Sequence, residues 1–200
     1  MANYKLTLSN IQKDILKEAL GFLAAMYRWD KEKLINYSKD WIEWSWKLVG
    51  PYTFDEAIKE FLDVFNLTPL PTQADMVDKL ANRIEGILSD DDIILIVNAL
   101  DSMTRIGIGQ FEYFFDRRWE VGWNEKDWPV SKIKMGLGLS INSSWGITNP
   151  IIPDRTIAAY DMMCVIRKKW AAENETNQWS VWHNDPLHLS KQPLPKIEIV

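Results

Sequence analysis

The residues best suited to chemistry in this chain are the cations, amides and aromatics of its second half. Arg105, Gln110, Asn142, Trp145, Arg155, Tyr160 and Arg167 could together hold a small anionic molecule. A guanidinium fork matches a carboxylate or phosphate, an indole or phenol offers a stacking face, and side-chain amides satisfy the remaining oxygens. Tyr160, Cys164 and Arg167 are spaced i, i+4 and i+7, which puts them on one face of a helix. Arg155 falls near the start of that helix, beside the loop Asn142-Ser143-Ser144-Trp145-Gly146. Structural ion pairs, with Asp161 among the partners, account for the same residues without a ligand.

Other constellations point to structure rather than reaction. His183 and His188 flank Asp185, but the spacing fits neither a zinc site nor a facial triad, so these read as surface groups. The run Asp90-Asp91-Asp92 follows Ser89, where a helix N-terminus favours negative charge. Gly107 and Gly109 would need a third glycine where Glu112 stands, and Gly136 and Gly138 one where Ile141 stands, so no dinucleotide fingerprint exists. Neither a Gly-Lys-Ser/Thr phosphate loop nor a Gly-x-Ser-x-Gly nucleophile turn occurs. Cys164 lies among Met162, Met163, Val165 and Ile166 and reads as a buried structural thiol. No catalytic residue, metal or cofactor is expected, and the chain is not expected to be an enzyme.

Tryptophan is abundant, with 11 in 200 residues. Trp41 and Trp44 suit the core face of a helix, whereas Trp46 points off that stripe towards a second packed face or a subunit interface. Trp123, Trp128 and Trp145 fall in loop sequence, where a large indole needs a partner.

The elements that must position these groups are helices. Ser9 caps a first helix carrying two adjacent stripes, Ile11/Ile15/Ala19/Phe22/Met26 and Leu16/Leu20/Leu23/Tyr27, a face wide enough to pack on two sides. Asp30 caps a second helix ending at Gly50-Pro51, and Thr53 with Glu56 opens a third, through about Phe65. Thr72 starts a fourth on Met76, Leu80, Ile84 and Ile87; Ser89 with Asp92 starts a fifth on Ile93, Ile96, Val97 and Leu100. Gly107-Ile108-Gly109 then either breaks a helix or marks a close backbone approach, before the pattern resumes from Gln110 to Trp119. Residues 121–152 read as an irregular loop or a short β-hairpin around Lys132–Ile141. Pro153 and Asp154 open a last long helix with Ala159, Met163, Ile166 and Trp170 on one stripe, and the proline-bearing end runs extended over the domain or onto a partner.

The expectation is therefore a mainly α, single-domain bundle of about seven helices over 1–200. Within it, 1–105 is helical scaffold, 106–175 the site region and 176–200 an extended tail. Composition agrees: 46% hydrophobic and 26% charged residues suit a globular core, and one cysteine excludes an internal disulfide. The net charge of −5 disfavours sequence-independent nucleic-acid binding. No apolar run is long enough to span a membrane, and the N-terminus lacks a signal-peptide core, so a cytoplasmic setting is expected. The acidity is confined to residues 1–100 (11 Lys or Arg against 16 Asp or Glu), while 101–200 balance at 12 each. Five of seven arginines and six of nine glycines lie in the second half, which is where a small-molecule site belongs.

Ala99–Glu112 (ALDSMTRIGIGQFE) and Gly136–Ala171 (GLGLSINSSWGITNPIIPDRTIAAYDMMCVIRKKWA) resemble segments of small uncharacterised helical proteins encoded by bacteriophages. The Arg-Ile-Gly-x-Gly-Gln-Phe block, the Asn-Ser-x-x-Gly-Ile block and the Ala-Tyr-Asp helix carry that resemblance over about a quarter of the chain. It implies a setting, a phage protein made inside a bacterium, and no activity. Two functions follow as expectations. One is a non-catalytic binder of a small anion, with a nucleotide signal of host immunity as the sensible ligand to sequester. The other is an interaction factor that contacts itself, as a homo-oligomer, or a host protein through Trp46, the first helix and the tail.

Overall fold

The first helix begins where a side chain can replace missing backbone partners. Ser9 is extended (φ −67, ψ 164), its hydroxyl accepts from the Gln12 amide at 3.2 Å, and Gln12 answers by accepting from the Ser9 amide at 2.8 Å. The computed structural model describes residues 2–42 (of 38–42 the backbone alone), 59, 62–63, 67–110, 146–174 and 185–200. Within them lie β1 (Asn3–Thr7), α1 (Asn10–Arg28), α2 (Lys31–Ile42), α3 (Pro71–Ala81), β2 (Leu88–Ser89), α4 (Asp90–Gly107), α5 (Asp154–Glu173) and β3 (Lys196–Ile199). Of the third expected helix only Lys59, Leu62 and Asp63 are described, all three helical with Leu62 in the core; its other residues, the loop and hairpin of 121–152 up to Trp145, and Trp46 lie outside the described residues.

Helix α1 is the centre of the molecule, packing against α2, α3, α4 and α5. Its two stripes are buried as their width requires, from Ile15 and Leu16 through Met26; Ile11 alone of those positions is 53% exposed. Asp30 caps α2 as expected, accepting from the Lys33 amide at 3.2 Å. Helix α3 departs from expectation. Pro71 occupies its first turn, and the chain leaves the helix at Asn82, so Ile84 and Ile87 lie beyond it. Its buried stripe is Ala74, Val77 and Leu80, while Met76 and Ile87 are exposed. Helix α4 starts on the Ser89–Asp92 capping box. Asp92 also receives Arg83 at 2.6 Å.

The architecture is mainly helical with a small three-stranded sheet. Five helices are bounded among the described residues, against about seven expected, and the sheet is an addition. It has order β2-β1-β3, antiparallel throughout. Tyr4 pairs with Ile199 and Leu6 with Ile197, so the buried Tyr4 and Leu6 share a face with the two isoleucines. The tail thus returns to the N-terminal strand of its own chain.

Helices α4 and α5 run antiparallel. Gly107, at the end of α4, lies against Thr156 near the start of α5. At the other end Trp170 Nε1 and Asn174 Nδ2 donate to Asp90 at 3.0 and 3.3 Å. Both expectations for the Gly107-Ile108-Gly109 segment hold at once. A Cβ at Gly107 would sit 2.6 Å from Thr156 Cγ2, and the helix ends there, with Gly109 at φ 84 turning the chain back.

Candidate functional site

Helix α5 carries a polar sequence yet is largely buried, and among the described residues three elements pack against it. Core residues of α1 and α4 take the Ala159, Met163 and Ile166 side. The tail runs back along another side of the helix. Asp185 pairs with Lys168. The amides of Leu187, His188 and Ser190 then donate to the buried Asp161 carboxylate at 2.8, 3.1 and 3.3 Å, and the Lys191 amide donates to Asp154 at 2.8 Å. His188 adopts φ 54 to turn its amide inward. Beyond Lys191, the Gln12 side chain donates to the Pro193 carbonyl. Asp154, Asp161 and Lys168 recur every seven residues, one line along a helix face. That spacing is the signal by which sequence reading could have found the tail's track; among the described residues Asp161 anchors the tail and pairs with no arginine.

The candidate site lies on the α4-facing side. Arg105 donates through Nε to Asp101 at 3.1 Å and through Nη1 to Gln110 Oε1 at 2.8 Å, while the Gln110 amide donates to the Arg105 carbonyl. Across on α5, Tyr160 lies one turn before Cys164 and the two groups influence each other's ionisation, while Arg167 Nη2 donates to Cys164 Sγ at 3.7 Å. Tyr160, Cys164 and Arg167 thus share one face of α5, with Cys164 and Arg167 in contact. Arg155 does not join them: it pairs with Glu18 on α1. Asn142 and Trp145 lie outside the described residues, as does His183.

Burial pushes the Cys164 thiol up, against the pull of Arg167 and the Tyr160 hydroxyl, with Asp161 and Asp101 acting alongside burial. The thiol is fully enclosed and protonated, which unsuits it as a nucleophile. Burial also raises Tyr160; Cys164 adds to that shift and Arg167 opposes it. The phenol is a donor throughout the physiological range.

Arg167 is the unusual member. It is 9% exposed, and its Nε is buried without a hydrogen-bond acceptor. Arg105 and Arg155 each hold a carboxylate, whereas Arg167 forms no ion pair among the described residues. Nor does the helix dipole compensate it, because α5 continues to Glu173 and that field is felt within the last turn. Enclosing an uncompensated guanidinium costs on the order of several kcal/mol. Thr156, aligned with Arg167 on α5, likewise buries its hydroxyl oxygen without a partner. Among the described residues no group of three or more His, Cys, Asp or Glu is placed to hold a metal ion, and no helix is long and apolar enough to cross a membrane.

Searched against protein-family models, curated proteins and solved structures, the chain matches none of them.

Proposed function

We propose that this chain is a non-catalytic binder of a small anion, with Arg167 as the ligand's counterion and Tyr160 as a neutral donor beside it. One observation carries the reading: a guanidinium 9% exposed, with an unsatisfied Nε and no carboxylate partner among the described residues. An anion entering that position would supply both the missing charge and the missing acceptor. Arg105 and Gln110 are engaged with each other, and Arg105 with Asp101, at the end of α4, so Arg167 and Tyr160 carry the reading. The enclosed thiol, pushed up by burial and so held protonated, favours binding over turnover. In the phage setting that the resemblance implies, the role is sequestration of a nucleotide signal of host defence. The competing reading, contact with a partner through the tail, loses support because the tail is engaged on α5 and β1.

The test is to purify the full chain from infected or immune-activated cells, release bound small molecules by heat and identify them by mass spectrometry. A nucleotide recovered from the wild-type chain and lost from Arg167→Ala is the expected result. A ligand-free protein that co-purifies with one host polypeptide would sink the reading.

A further inference from the structure

Strand β3 (Lys196–Ile199) has β1 on one side and, among the described residues, no strand on the other. Its register with β1 determines which backbone groups are already used. The Val200 amide donates to the Asn3 carbonyl, and along an antiparallel ladder every second residue bonds to the same neighbour. The backbone of Lys196, Glu198 and Val200 therefore faces β1, while the amide and carbonyl of Ile197 and Ile199 face outward. Among the described residues neither isoleucine has a hydrogen bond on that side. The strand is accessible: Lys196 and Glu198 are exposed, as are Ile199 at 42% and Val200 at 58%. Ile199 is exposed although it shares a sheet face with the buried Tyr4 and Leu6, which leaves an apolar side chain at the rim of the core. Pro195, just before the strand, has no N–H to offer, so pairing along this edge is confined to the few residues that follow it.

We propose that two copies of the chain pair antiparallel through β3, about a two-fold axis at Ile197, joining their sheets into one. The charge pattern selects a second copy as the occupant. With the axis at Ile197, the two Ile197 residues exchange both backbone bonds, and each Lys196 stands opposite the second copy's Glu198. Lys5 already stands opposite Glu198 within the sheet, so each Glu198 falls between two lysines. Moving the axis by one residue either way keeps the outward groups matched, but sets Lys196 against Lys196 or Glu198 against Glu198. Lysine and proline on an edge strand discourage pairing in general; here the glutamate two residues on makes the lysine complementary to one register alone. Such a two-fold contact is closed, because each copy uses its β3 edge once and the opposite edge, β2, has only Leu88 and Ser89. The pairing stands apart from the anion-binding reading and leaves the tail's bonds to α5 and β1 in place.

The test is sedimentation equilibrium of the full-length chain from about 10 µM to about 1 mM, since a contact this short is weak. Wild-type protein should approach the mass of two chains and go no further. Lys196→Glu leaves only acidic side chains facing across the axis, and Glu198→Lys only basic ones, so each alone should weaken association about tenfold. Mixed in equal amounts, the two variants present opposite charges to each other and should associate at least as well as wild type. The double exchange Lys196→Glu/Glu198→Lys should self-associate again. Melting curves accompany the series, because Glu198→Lys also opposes Lys5 in its own sheet, whereas position 196 faces Thr7. If Glu198→Lys melts early, Lys196→Glu decides alone. A wild-type chain that stays monomeric throughout, or whose association neither variant weakens, overturns the pairing. So does an equimolar mixture of folded variants that associates no better than its parts, or growth beyond two chains.

Discussion

The Tyr4 hydroxyl donates a 3.0 Å hydrogen bond to the Asp90 carboxylate, joining the first strand to the first turn of α4. Trp170, Asn174 and the Ala2 amide donate to the same carboxylate, so Asp90 ties β1, α4 and the end of α5 together.

That hub makes stability depend on alkaline pH. Burial first, then the hydrogen bond to Asp90 and its charge, push Tyr4 up from 10.0 to about 12. The folded state therefore holds a proton that the unfolded chain releases first. The resulting stability is complete below pH 10 and is lost as pH rises towards about 12. At the acid end, burial would raise Asp90, but the bonds from Tyr4, Asn174, Ala2 and Trp170 outweigh it and hold it below 3.8, so its contribution fades as pH falls past that value. Tyr4→Phe should cost about 1–3 kcal/mol near neutral pH and flatten the alkaline limb of the urea midpoint. An alkaline limb unchanged in Tyr4→Phe would assign the loss to another group.

The α4–α5 crossing makes a second prediction. Alanine at 107 would gain helix propensity, yet its Cβ would meet Thr156 Cγ2 at 2.6 Å and Oγ1 at 2.7 Å in a site with no exposure. Overpacking dominates, and Gly107→Ala should destabilise by about 1–3 kcal/mol. Trimming the neighbour in Gly107→Ala/Thr156→Ala should recover most of it, since contacting sites couple. Gly146→Ala differs: nothing lies within 4 Å, and the cost, about 1 kcal/mol, comes from φ +71 alone. Denaturant titration of the four proteins separates crowding, which the double variant relieves, from backbone strain, which it does not.

These two regions also show what was legible in the chain. Local signals were: Ser9 with Gln12 and Ser89 with Asp92 mark helix starts through bonds three residues long, and the wide apolar face of α1 marks a central helix. At α3, Pro71 rather than Thr72 opens the helix, and the buried stripe turns to Ala74 and Val77, positions whose small size hid them from a count of large apolar residues. The sheet was not legible, because pairing Tyr4 with Ile199 or Leu88 depends on contacts across most of the chain, and four- or five-residue strands carry little local pattern. Helical spacing puts Tyr160, Cys164 and Arg167 on one face, and α5 runs unbroken through all three. The same spacing could not show that Arg155, one turn earlier, reaches α1 and Glu18 instead.

Arg167 yields the sharpest test, since stability and binding should move in opposite directions. A paired structural arginine destabilises when removed, because its carboxylate is left buried and alone. Arg167 leaves no such orphan among the described residues, and its Nε already lacks an acceptor. Methionine fills similar volume, carries no charge and suits contact with Cys164 and the neighbouring core. Arg167→Met should therefore stabilise the ligand-free protein by about 1–4 kcal/mol, on the scale seen when buried charge is replaced by apolar packing. In the wild-type chain, added pyrophosphate should raise the melting temperature progressively as the anion fills the site; in Arg167→Met that rise should vanish. Arg167→Lys keeps the charge but not the fork, and should retain only part of the rise. Calorimetry with and without pyrophosphate measures both effects in one series. Loss of stability in Arg167→Met together with an intact anion response would make Arg167 a structural residue and move the site elsewhere.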